Sequence, residues 1–318
     1  MTARAPDEVL WDFLRGATMT RAVGIVADLG VAEALANGPQ PVDALAGETG
    51  AHPDSLYRVL RALASDGVFA EVEPRVFRNT DVSELLRSGQ PNRDFASLFG
   101  GVWHRAVGDL DVRSDQATFA DTFGAEFWAW LAQHPDERAA FDRAMEDSVE
   151  RRADRLELVD LRGDETVIDV GGGNGSLLVE LLRRRPGLRG IVFDLPETNR
   201  DEAALGDRIE FVAGSFFDRV PVGDVYILGT ILHDWDDEHA AAILRTIRED
   251  APAHARVVII DSVIAPGNDP NGAKWLDLLM LVLFRGRERT EEEWRALIEG
   301  AGFAVDDLRD GLIQASCH

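Results

Sequence analysis

The chain has 318 residues, of which 45% are hydrophobic and 28% are charged, a balance typical of a globular protein with one or two domains. Its formal net charge of −24 argues against binding to nucleic acid or to an anionic membrane surface, because both require clustered Lys and Arg. The single cysteine, Cys317, excludes an internal disulfide and any cysteine-rich zinc site.

The N-terminal residues lack the basic segment and apolar run of a signal peptide. No stretch of the sequence reaches the roughly 18 apolar residues that a membrane span requires. We therefore expect a cytoplasmic protein with no membrane partner.

The first 95 residues are predicted to form short helices followed by a β-hairpin. Apolar residues recur at helical spacing in residues 20–35, 42–50 and 52–69, and residues 69–80 resemble a hairpin. This order of elements is typical of a winged helix. Its acidic residues outnumber its arginines, so we interpret it as a packing or dimerisation module and not as a reader of DNA.

The remainder is predicted to form a helical connector and an α/β domain. Residues 96–162 are helical in pattern and rich in aromatic side chains. From residue 163 onward, continuous apolar strands alternate with helices, which indicates a doubly wound parallel sheet of Rossmann type covered on both faces. We predict domains at 1–95 and 163–318, with 96–162 contributing to a substrate pocket.

A glycine-rich loop follows the first strand of this α/β domain and precedes a helix. Asp169 ends the strand, and Gly171, Gly173 and Gly175 form a G-x-G-x-G pattern, which differs from the spacing of dinucleotide binders and of phosphate loops. Glycines permit a tight turn and a close backbone approach to a ligand. The alternative is a tight turn that binds nothing.

Acidic and aromatic residues at the next two strand ends strengthen the prediction of a ligand. Asp194 and Leu195 end the second strand, where a carboxylate can accept both ribose hydroxyl protons of a nucleoside cofactor, although Asp194 could instead cap a helix. Ser215, Phe216 and Phe217 end the third strand, where an adenine would lie or where a Phe would simply be part of the core.

A histidine at the end of the fourth strand is the candidate general base. His233 stands at the sheet edge where ligands of open α/β sheets bind, and its ordinary pKa of about 6.5 suits proton abstraction near neutral pH. Glu288 and Asp261 are candidate carboxylates that orient its other nitrogen, with a solvated charge run and a local ion pair as their alternatives. No His, Asp and Glu residues have metal-ligand spacing, so we expect no metal.

Aromatic and Met side chains are the candidate wall of a substrate pocket, because ligand pockets are mostly apolar. A plain helix core is at least an equal explanation for each of them. The candidates are Phe123, Phe127, Trp128, Met145, Trp275, Met280 and Phe284.

Taken together, these features resemble the small-molecule O-methyltransferases, whose plant members methylate phenylpropanoids and flavonoids and whose bacterial members modify natural products. The motifs that carry the resemblance are DVGGGNG at 169–175, FDLP at 193–196, LHDWDDE at 232–238 and GRERTEEEW at 286–294. The resemblance covers nearly the whole chain. It implies an S-adenosylmethionine-binding domain, with S-adenosylhomocysteine as the product, behind an N-terminal dimerisation domain of winged-helix type.

The resemblance also implies residue roles. The glycine loop holds the methionine portion of the cofactor, Asp194 holds the ribose, His233 is the base and Glu288 orients it. Asp261 stands where plant members often carry a second orienting Glu. Gly229 stands where some plant members have a Lys near the cofactor, so that contact is missing.

We therefore predict a homodimeric methyltransferase that methylates a hydroxyl of a small aromatic molecule. One alternative is a family member that keeps the cofactor but catalyses hydroxylation, decarboxylation or ring formation. A second alternative is a non-enzymatic winged-helix regulator, which the negative charge disfavours.

Overall fold

The computed structural model describes residues 5–113, 116–146, 148–196, 198 and 206–317, and the chain divides into two compact units. The first unit comprises Met1–Leu110 and Trp128–Asp147, and the second comprises Asp111–Phe127 and Ser148–His318. Residues 96–162 are therefore shared between both units. Within the described residues, no helix is long and apolar enough to cross a membrane.

The first unit is mainly helical. Its helices are α1 (Pro6–Asp28), α2 (Val31–Ala34), α3 (Val42–Thr49), α4 (Pro53–Ser65), α5 (Asp81–Glu84), α6 (Pro91–Gly100), α7 (Val102–Gly108) and α10 (Pro135–Glu146). The sequence pattern predicted one helix across residues 20–35, but Gly30 takes a left-handed conformation (φ 68°) and separates α1 from α2. Helix α9 (Phe127–Leu131) begins at the boundary of the two units.

A small antiparallel sheet completes the first unit. Strands β2 (Phe69–Glu73) and β3 (Val76–Asn79) form the predicted hairpin, and β1 (Gln40–Pro41) adds a third strand that pairs with β3. The apolar face of α4 buries Leu56, Leu60 and Leu63 in the core beneath this sheet. The three-helix and hairpin order predicted from the sequence is thus present.

The second unit contains the remaining elements. Its helices are α8 (Thr118–Phe123), α11 (Ser148–Leu156), α12 (Ser176–Arg184), α13 (Asp237–Asp250), α14 (Gly272–Leu283) and α15 (Glu291–Gly300). Its strands are β4 (Thr166–Val170), β5 (Arg189–Asp194), β6 (Ile209–Ala213), β7 (Val225–Gly229), β8 (Arg256–Ile260), β9 (Val263–Ile264), β10 (Arg289–Thr290), β11 (Phe303–Arg309) and β12 (Leu312–Cys317).

A seven-stranded sheet in the order β11-β12-β8-β7-β4-β5-β6 forms the centre of this unit. Strands β4 to β8 pair in parallel, and β11 and β12 form an antiparallel hairpin at the edge next to β8. Successive residues of the central strands enter two different cores, with Ile168 on one face and Val167 on the other. Burial on both faces explains the continuous apolar runs of these strands.

The strand order reverses between β4 and β7, because β5 and β6 extend to one side of β4 while β7 and β8 extend to the other. At such a reversal the loops that follow two neighbouring parallel strands diverge and leave a crevice for a ligand. The predicted glycine loop follows β4, and the predicted base follows β7. The topology therefore brings these two segments to the same edge of the sheet.

In the first unit, α1 and α6 approach closely at Gly24 and Gly100. A Cβ atom at position 100 would lie 2.6 Å from the Cα of Gly24 and 2.8 Å from the carbonyl oxygen of Thr20. We therefore expect Gly100→Ala to lower the free energy of unfolding by about 1–3 kcal/mol through overpacking. Urea unfolding followed by circular dichroism measures the change.

Gly16→Ala is the matched control, because a Cβ there meets no atom within 4 Å. Alanine is a better helix former than glycine by about 0.5–1 kcal/mol, so this variant should be neutral or more stable. Equal stability of Gly100→Ala and the parent protein would contradict the close packing.

Candidate active site

The glycine loop after β4 has the backbone that its glycines were predicted to permit. Gly171, Gly173 and Gly175 all have positive φ angles, of 70°, 59° and 81°, a region that side chains disfavour. A Cβ at Gly171 would lie 2.6 Å from the Cδ1 atom of Ile231. The loop therefore passes directly beside the segment that follows β7.

Asp194 lies at the end of β5 and faces this loop. Its Oδ2 atom accepts a hydrogen bond of 2.7 Å from the backbone N–H of Gly173, and its Oδ1 atom accepts from Leu195 N and from the Thr198 hydroxyl. The helix that Asp194 might cap falls mostly outside the described residues. The carboxylate is thus held at the loop, where a ligand with two adjacent hydroxyls could meet it.

Aromatic rings gather where β6 ends. Phe216, Phe217 and Trp235 pack edge to face, with ring centroids 4.9–5.9 Å apart. The Ser215 hydroxyl accepts a hydrogen bond of 3.2 Å from Phe217 N. Phe217 is 37% exposed and Leu195 is 42% exposed, so both can contact a planar ring from solvent.

Sequence analysis missed a half-buried arginine beside these strand ends. Arg152 on α11 donates to the Gly229 carbonyl at 3.3 Å and to the Thr230 hydroxyl at 3.2 Å. Its Nη1 atom lies 3.5 Å from where a Cβ at Gly229 would stand, so the arginine occupies the neighbourhood where some plant members carry a Lys. Burial lowers the pKa of Arg152, while Asp169 and Asp261 raise it.

Two local signals accompany this arginine. Thr230 has φ 59°, which is rare for a β-branched residue and is typical of functional sites. Asp169 is buried, and burial raises its pKa to about 7 although Arg152 opposes the shift. Among the described residues, the Oδ2 atom of Asp169 has no hydrogen-bond partner.

The predicted base and its predicted orienting carboxylate are in direct contact. The Nδ1 atom of His233 lies 2.7 Å from the Oε1 atom of Glu288, and both side chains are buried. An ionised carboxylate can only accept, so the imidazole donates from Nδ1. The Nε2 atom is then the one that can accept a substrate proton, and it lies 3.4 Å from the Oδ1 atom of Asp234.

Asp261 lies beside this pair without bonding to it. Its Oδ1 atom is 3.6 Å from His233 Nδ1, and neither of its carboxylate oxygens has a hydrogen-bond partner among the described residues. Burial raises the pKa of Asp261 to about 7. The shorter side chain therefore contributes charge near the imidazole, whereas Glu288 supplies the hydrogen bond.

Three carboxylates determine the proton affinity of His233. Burial by itself lowers the pKa of the imidazole, but Asp261, Asp234 and Glu288 outweigh burial and raise this pKa to about 10. Burial also raises the pKa of Asp234 to about 7. The neighbouring carboxylates thus increase the affinity of the imidazole for a proton, and His233 can accept one at Nε2 from its neutral form.

Sequence spacing predicted no group of His, Asp and Glu residues that could bind a metal, and the structure shows that this prediction is wrong for one group. His233, Asp261 and Glu288 bring ligand-type atoms within 4.8 Å of one another. The contact of 2.7 Å between Nδ1 and Oε1 is nevertheless shorter than the separation of about 3.3 Å between two ligands of a tetrahedral zinc ion. The arrangement suits a shared proton, and the absence of a metal stays a prediction.

The predicted pocket residues fall in both units. In the second unit Phe127 packs edge to face on Phe284 and on the fully buried Phe119, which sequence analysis did not single out. Phe123 packs on Phe119 as well, Met280 is buried in α14, and Trp275 is 67% exposed at the start of the same helix. In the first unit Trp128 packs on Phe141, and Met145 is half-buried in α10.

Comparison with known proteins identifies two matching family models. An O-methyltransferase domain matches residues 104–304, and an O-methyltransferase dimerisation domain matches residues 11–89. The chain is 40% identical over 312 residues to a phenazine O-methyltransferase of Lysobacter antibioticus, covering 94% of this chain and 92% of that protein. It is 36% identical to a mitomycin biosynthesis 6-O-methyltransferase of Streptomyces lavendulae, covering 95% and 90%.

Solved structures give the same result. An O-methyltransferase from neocarzinostatin biosynthesis, in complex with S-adenosylhomocysteine and 1,4-dihydroxy-2-naphthoic acid, is 32% identical with a TM-score of 0.82, covering 95% of this chain and 96% of that one. Human N-acetylserotonin methyltransferase in complex with S-adenosylmethionine is 25% identical with a TM-score of 0.87, covering 99% of each. These similarities confirm the resemblance and the fold class predicted from the sequence.

The charge of Asp261 is a principal reason for the raised pKa of His233, so removing this charge should lower that pKa. We expect Asp261→Asn to lower the pKa of His233 from about 10 by roughly 1–3 units, as loss of a nearby opposite charge should. Because the pKa of folded His233 exceeds the unfolded value of about 6.5, its imidazolium stabilises the fold below pH 6.5. This stabilisation is lost as the pH rises toward 10. In Asp261→Asn it should be lost at a lower pH, because the pKa of His233 is lower in that variant.

A titration of ¹⁵N-histidine-labelled protein by NMR measures this shift, with the His233 signal assigned by its absence in His233→Ala. Asp164→Asn, which removes an exposed carboxylate, is the matched control and should leave the His233 curve unchanged. An unchanged curve in Asp261→Asn would contradict the electrostatic account.

Proposed function

Because the chain belongs to the O-methyltransferase family and is an S-adenosylmethionine-dependent O-methyltransferase of natural-product type, we propose that it methylates a hydroxyl of a small aromatic molecule with His233 as general base. The observation that carries this proposal is the buried hydrogen bond of 2.7 Å between His233 and Glu288. The pair stands at the carboxyl edge of the sheet, beside the glycine loop. The substrate class and the residue roles are parts of the proposal.

Several residues at the sheet edge fit the cofactor. Asp194 offers a carboxylate for the ribose hydroxyls, and its present partner, the Gly173 N–H, shows that the carboxylate and the loop backbone already face one another. Arg152 offers a half-buried positive charge suited to the carboxylate of the methionine portion. Leu195, Phe216 and Phe217 supply apolar surface for the adenine. When bound, S-adenosylmethionine supplies an activated methyl group on its sulfonium.

The chain's own contribution to the reaction is positioning and proton transfer. A phenol has a pKa of about 10, so it is a poor nucleophile at neutral pH. The carboxylates that raise the pKa of His233 make its neutral Nε2 a better acceptor for the proton of such a hydroxyl. Glu288 holds the ring at Nδ1 and stabilises the imidazolium that forms.

The aromatic residues of the second unit suit an aromatic acceptor. Phe119 contacts Phe123 and Phe127, and Phe127 contacts Phe284, so these rings form one connected set. The buried Met280 lies in α14, one helical turn before Phe284. Pockets of this composition bind planar apolar ligands and leave orientation to a few polar groups. Relatives of this chain include a phenazine O-methyltransferase and a 3-amino-4-hydroxybenzoate 4-O-methyltransferase, and their names define the acceptor panel.

Methyl transfer and cofactor binding can be separated by two variants. We expect His233→Ala to lower label transfer from methyl-labelled S-adenosylmethionine by about 10²–10⁴-fold with cofactor affinity unchanged, since only the base is removed. Arg152→Gln should instead weaken cofactor binding measured by calorimetry. The acceptors are a hydroxylated phenazine, 3-amino-4-hydroxybenzoate and 1,4-dihydroxy-2-naphthoic acid, with products identified by mass.

His254→Ala is the matched control for loss of an imidazole, because His254 is exposed and pairs with Asp224 away from the site. It should transfer label at the parent rate. Full transfer by His233→Ala would refute the base assignment. Cofactor binding without transfer to any acceptor would favour the non-methylating alternative.

We also infer that the protein is a homodimer joined through α1. The dimerisation-domain match spans residues 11–89, and the start of α1 presents an apolar stripe to solvent. Leu10, Trp11, Phe13 and Leu14 are 58–65% exposed and lie on one side of the helix. Exposed apolar stripes of this size mark interaction surfaces, and a second copy is the partner that the family match indicates.

Charges placed in this stripe should separate the dimer. We expect Leu10→Asp combined with Phe13→Asp to give a monomer by light scattering, because both new carboxylates would be buried without partners. Val112→Asp is the control, since Val112 is 82% exposed and lies outside α1. A dimer that persists in the double variant would place the interface elsewhere.

A further inference from the structure

We propose that Arg289 is a positioning residue that holds the turn carrying His233, so that the base faces the substrate at a fixed angle. This role rests on the proposed function of His233. Nothing in the motif comparison assigns a task to Arg289, and its side chain touches neither the imidazole nor the predicted cofactor residues.

The guanidinium of Arg289 binds both ends of the turn. The turn is a single 3-10 segment, Leu232–Asp234, followed by Trp235. Arg289 Nη1 donates to the Leu232 carbonyl at 3.0 Å, and Nη2 donates to the Trp235 carbonyl at 2.9 Å. One rigid planar group therefore spans the residues immediately before and after His233 and Asp234.

The arginine itself is held from the other side. It is completely buried, its Nε atom pairs with Asp237 Oδ1 at 2.9 Å, and its plane lies 5.0 Å from the Trp294 ring centre. Asp237 begins α13 and Trp294 lies in α15, so both contacts come from regular elements. The strand β10 that carries Arg289 pairs in parallel with β9. The guanidinium thus fixes the turn relative to α13, α15 and β10.

The backbone that precedes Arg289 contacts the same turn. Arg287 N donates to the His233 carbonyl at 2.8 Å, and a Cβ at Gly286 would clash with that oxygen. The N–H of Glu288 donates to Asp277 Oδ1 at 2.9 Å, which fixes the residue that binds the imidazole. Residues 286–289 therefore hold His233 at its carbonyl, at its ring and at both neighbours.

This geometry requires arginine and no other cation. The fork of five N–H donors reaches carbonyls on two sides while Nε keeps its ion pair. A lysine ammonium is a single point and cannot span both carbonyls. Loss of the fork should let the turn shift, and a displacement near 1 Å of a reacting group can cost about 10²-fold in rate.

The first measurement needs no substrate. In ¹⁵N-histidine-labelled protein, the proton on His233 Nδ1 is buried in the bond to Glu288 and gives an assignable resonance that His233→Ala removes. We expect Arg289→Lys to lower the melting temperature, because two buried carbonyls lose their donor, and to broaden or shift this resonance while the other histidine signals of the folded variant stay close to the parent. Arg208→Lys is the matched control, because Arg208 also donates to three backbone carbonyls but lies at the β6 side of the sheet.

The second measurement is a double-mutant cycle on label transfer to the acceptors above. We expect Arg289→Lys to lower kcat by about 10–10²-fold with less than threefold change in cofactor affinity. In the His233→Ala background the same substitution should change the rate less than twofold, because the base it positions is gone. A role in general folding would lower both backgrounds by the same factor.

The outcomes separate this proposal from the proposed function. Undiminished transfer by His233→Ala refutes the base, whatever Arg289 does. An unchanged His233 resonance in folded Arg289→Lys, or equal losses in both backgrounds, overturns the positioning role. Should Arg289→Lys fail to fold, Asp237→Ala removes the ion pairs of Asp237 with Arg289 Nε and with Arg287 Nη1 while the carbonyl contacts of Arg289 remain possible. An unchanged His233 resonance there overturns the proposal as well.

Discussion

The hydrogen bond between His233 and Glu288 joins two side chains 55 residues apart, and the rest of the site is arranged to make it possible. His233 follows β7, while Glu288 stands just before β10, outside the seven-stranded sheet. A buried imidazole and a buried carboxylate would each be unfavourable alone. Paired at 2.7 Å, the imidazole and the carboxylate offset one another's cost of burial. The Nε2 atom is the ring nitrogen that remains outside this pair.

The electrostatics around this pair raise the proton affinity of the imidazole, as the proposed role of His233 requires. Asp234 and Asp261 add negative charge on two sides, so the imidazole holds a proton more tightly than it does in water. Burial first, and then the charges of neighbouring carboxylates, raise the pKa values of both aspartates to about 7. Proton affinity at the base is therefore a property of the cluster and not of His233 alone.

The glycine loop after β4 and the segment after β7 are shaped by backbone conformation more than by charge. Three left-handed glycines after β4 and a left-handed Thr230 after β7 turn both segments sharply at neighbouring strand ends. Arg152 binds the second turn by its carbonyl and its hydroxyl, and so connects α11 to the strand that leads to the base. The glycine loop and the turn that carries His233 thus follow two adjacent strands of one sheet.

The sequence by itself determined the features that depend on local chemistry. Apolar runs gave the central strands, the glycine pattern gave the loop, and the position of His233 and Asp194 at strand ends gave the candidate site. Local pattern could not reveal that β1 joins the small sheet, that Gly30 divides the first helix, or that Glu288 rather than Asp261 bonds to His233. It also gave no sign of Arg152 and Arg289, since each acts on carbonyls distant in the chain. These contacts depend on whether a side chain is long enough to span the distance between two segments that are far apart in the chain. Only the tertiary structure determines that distance.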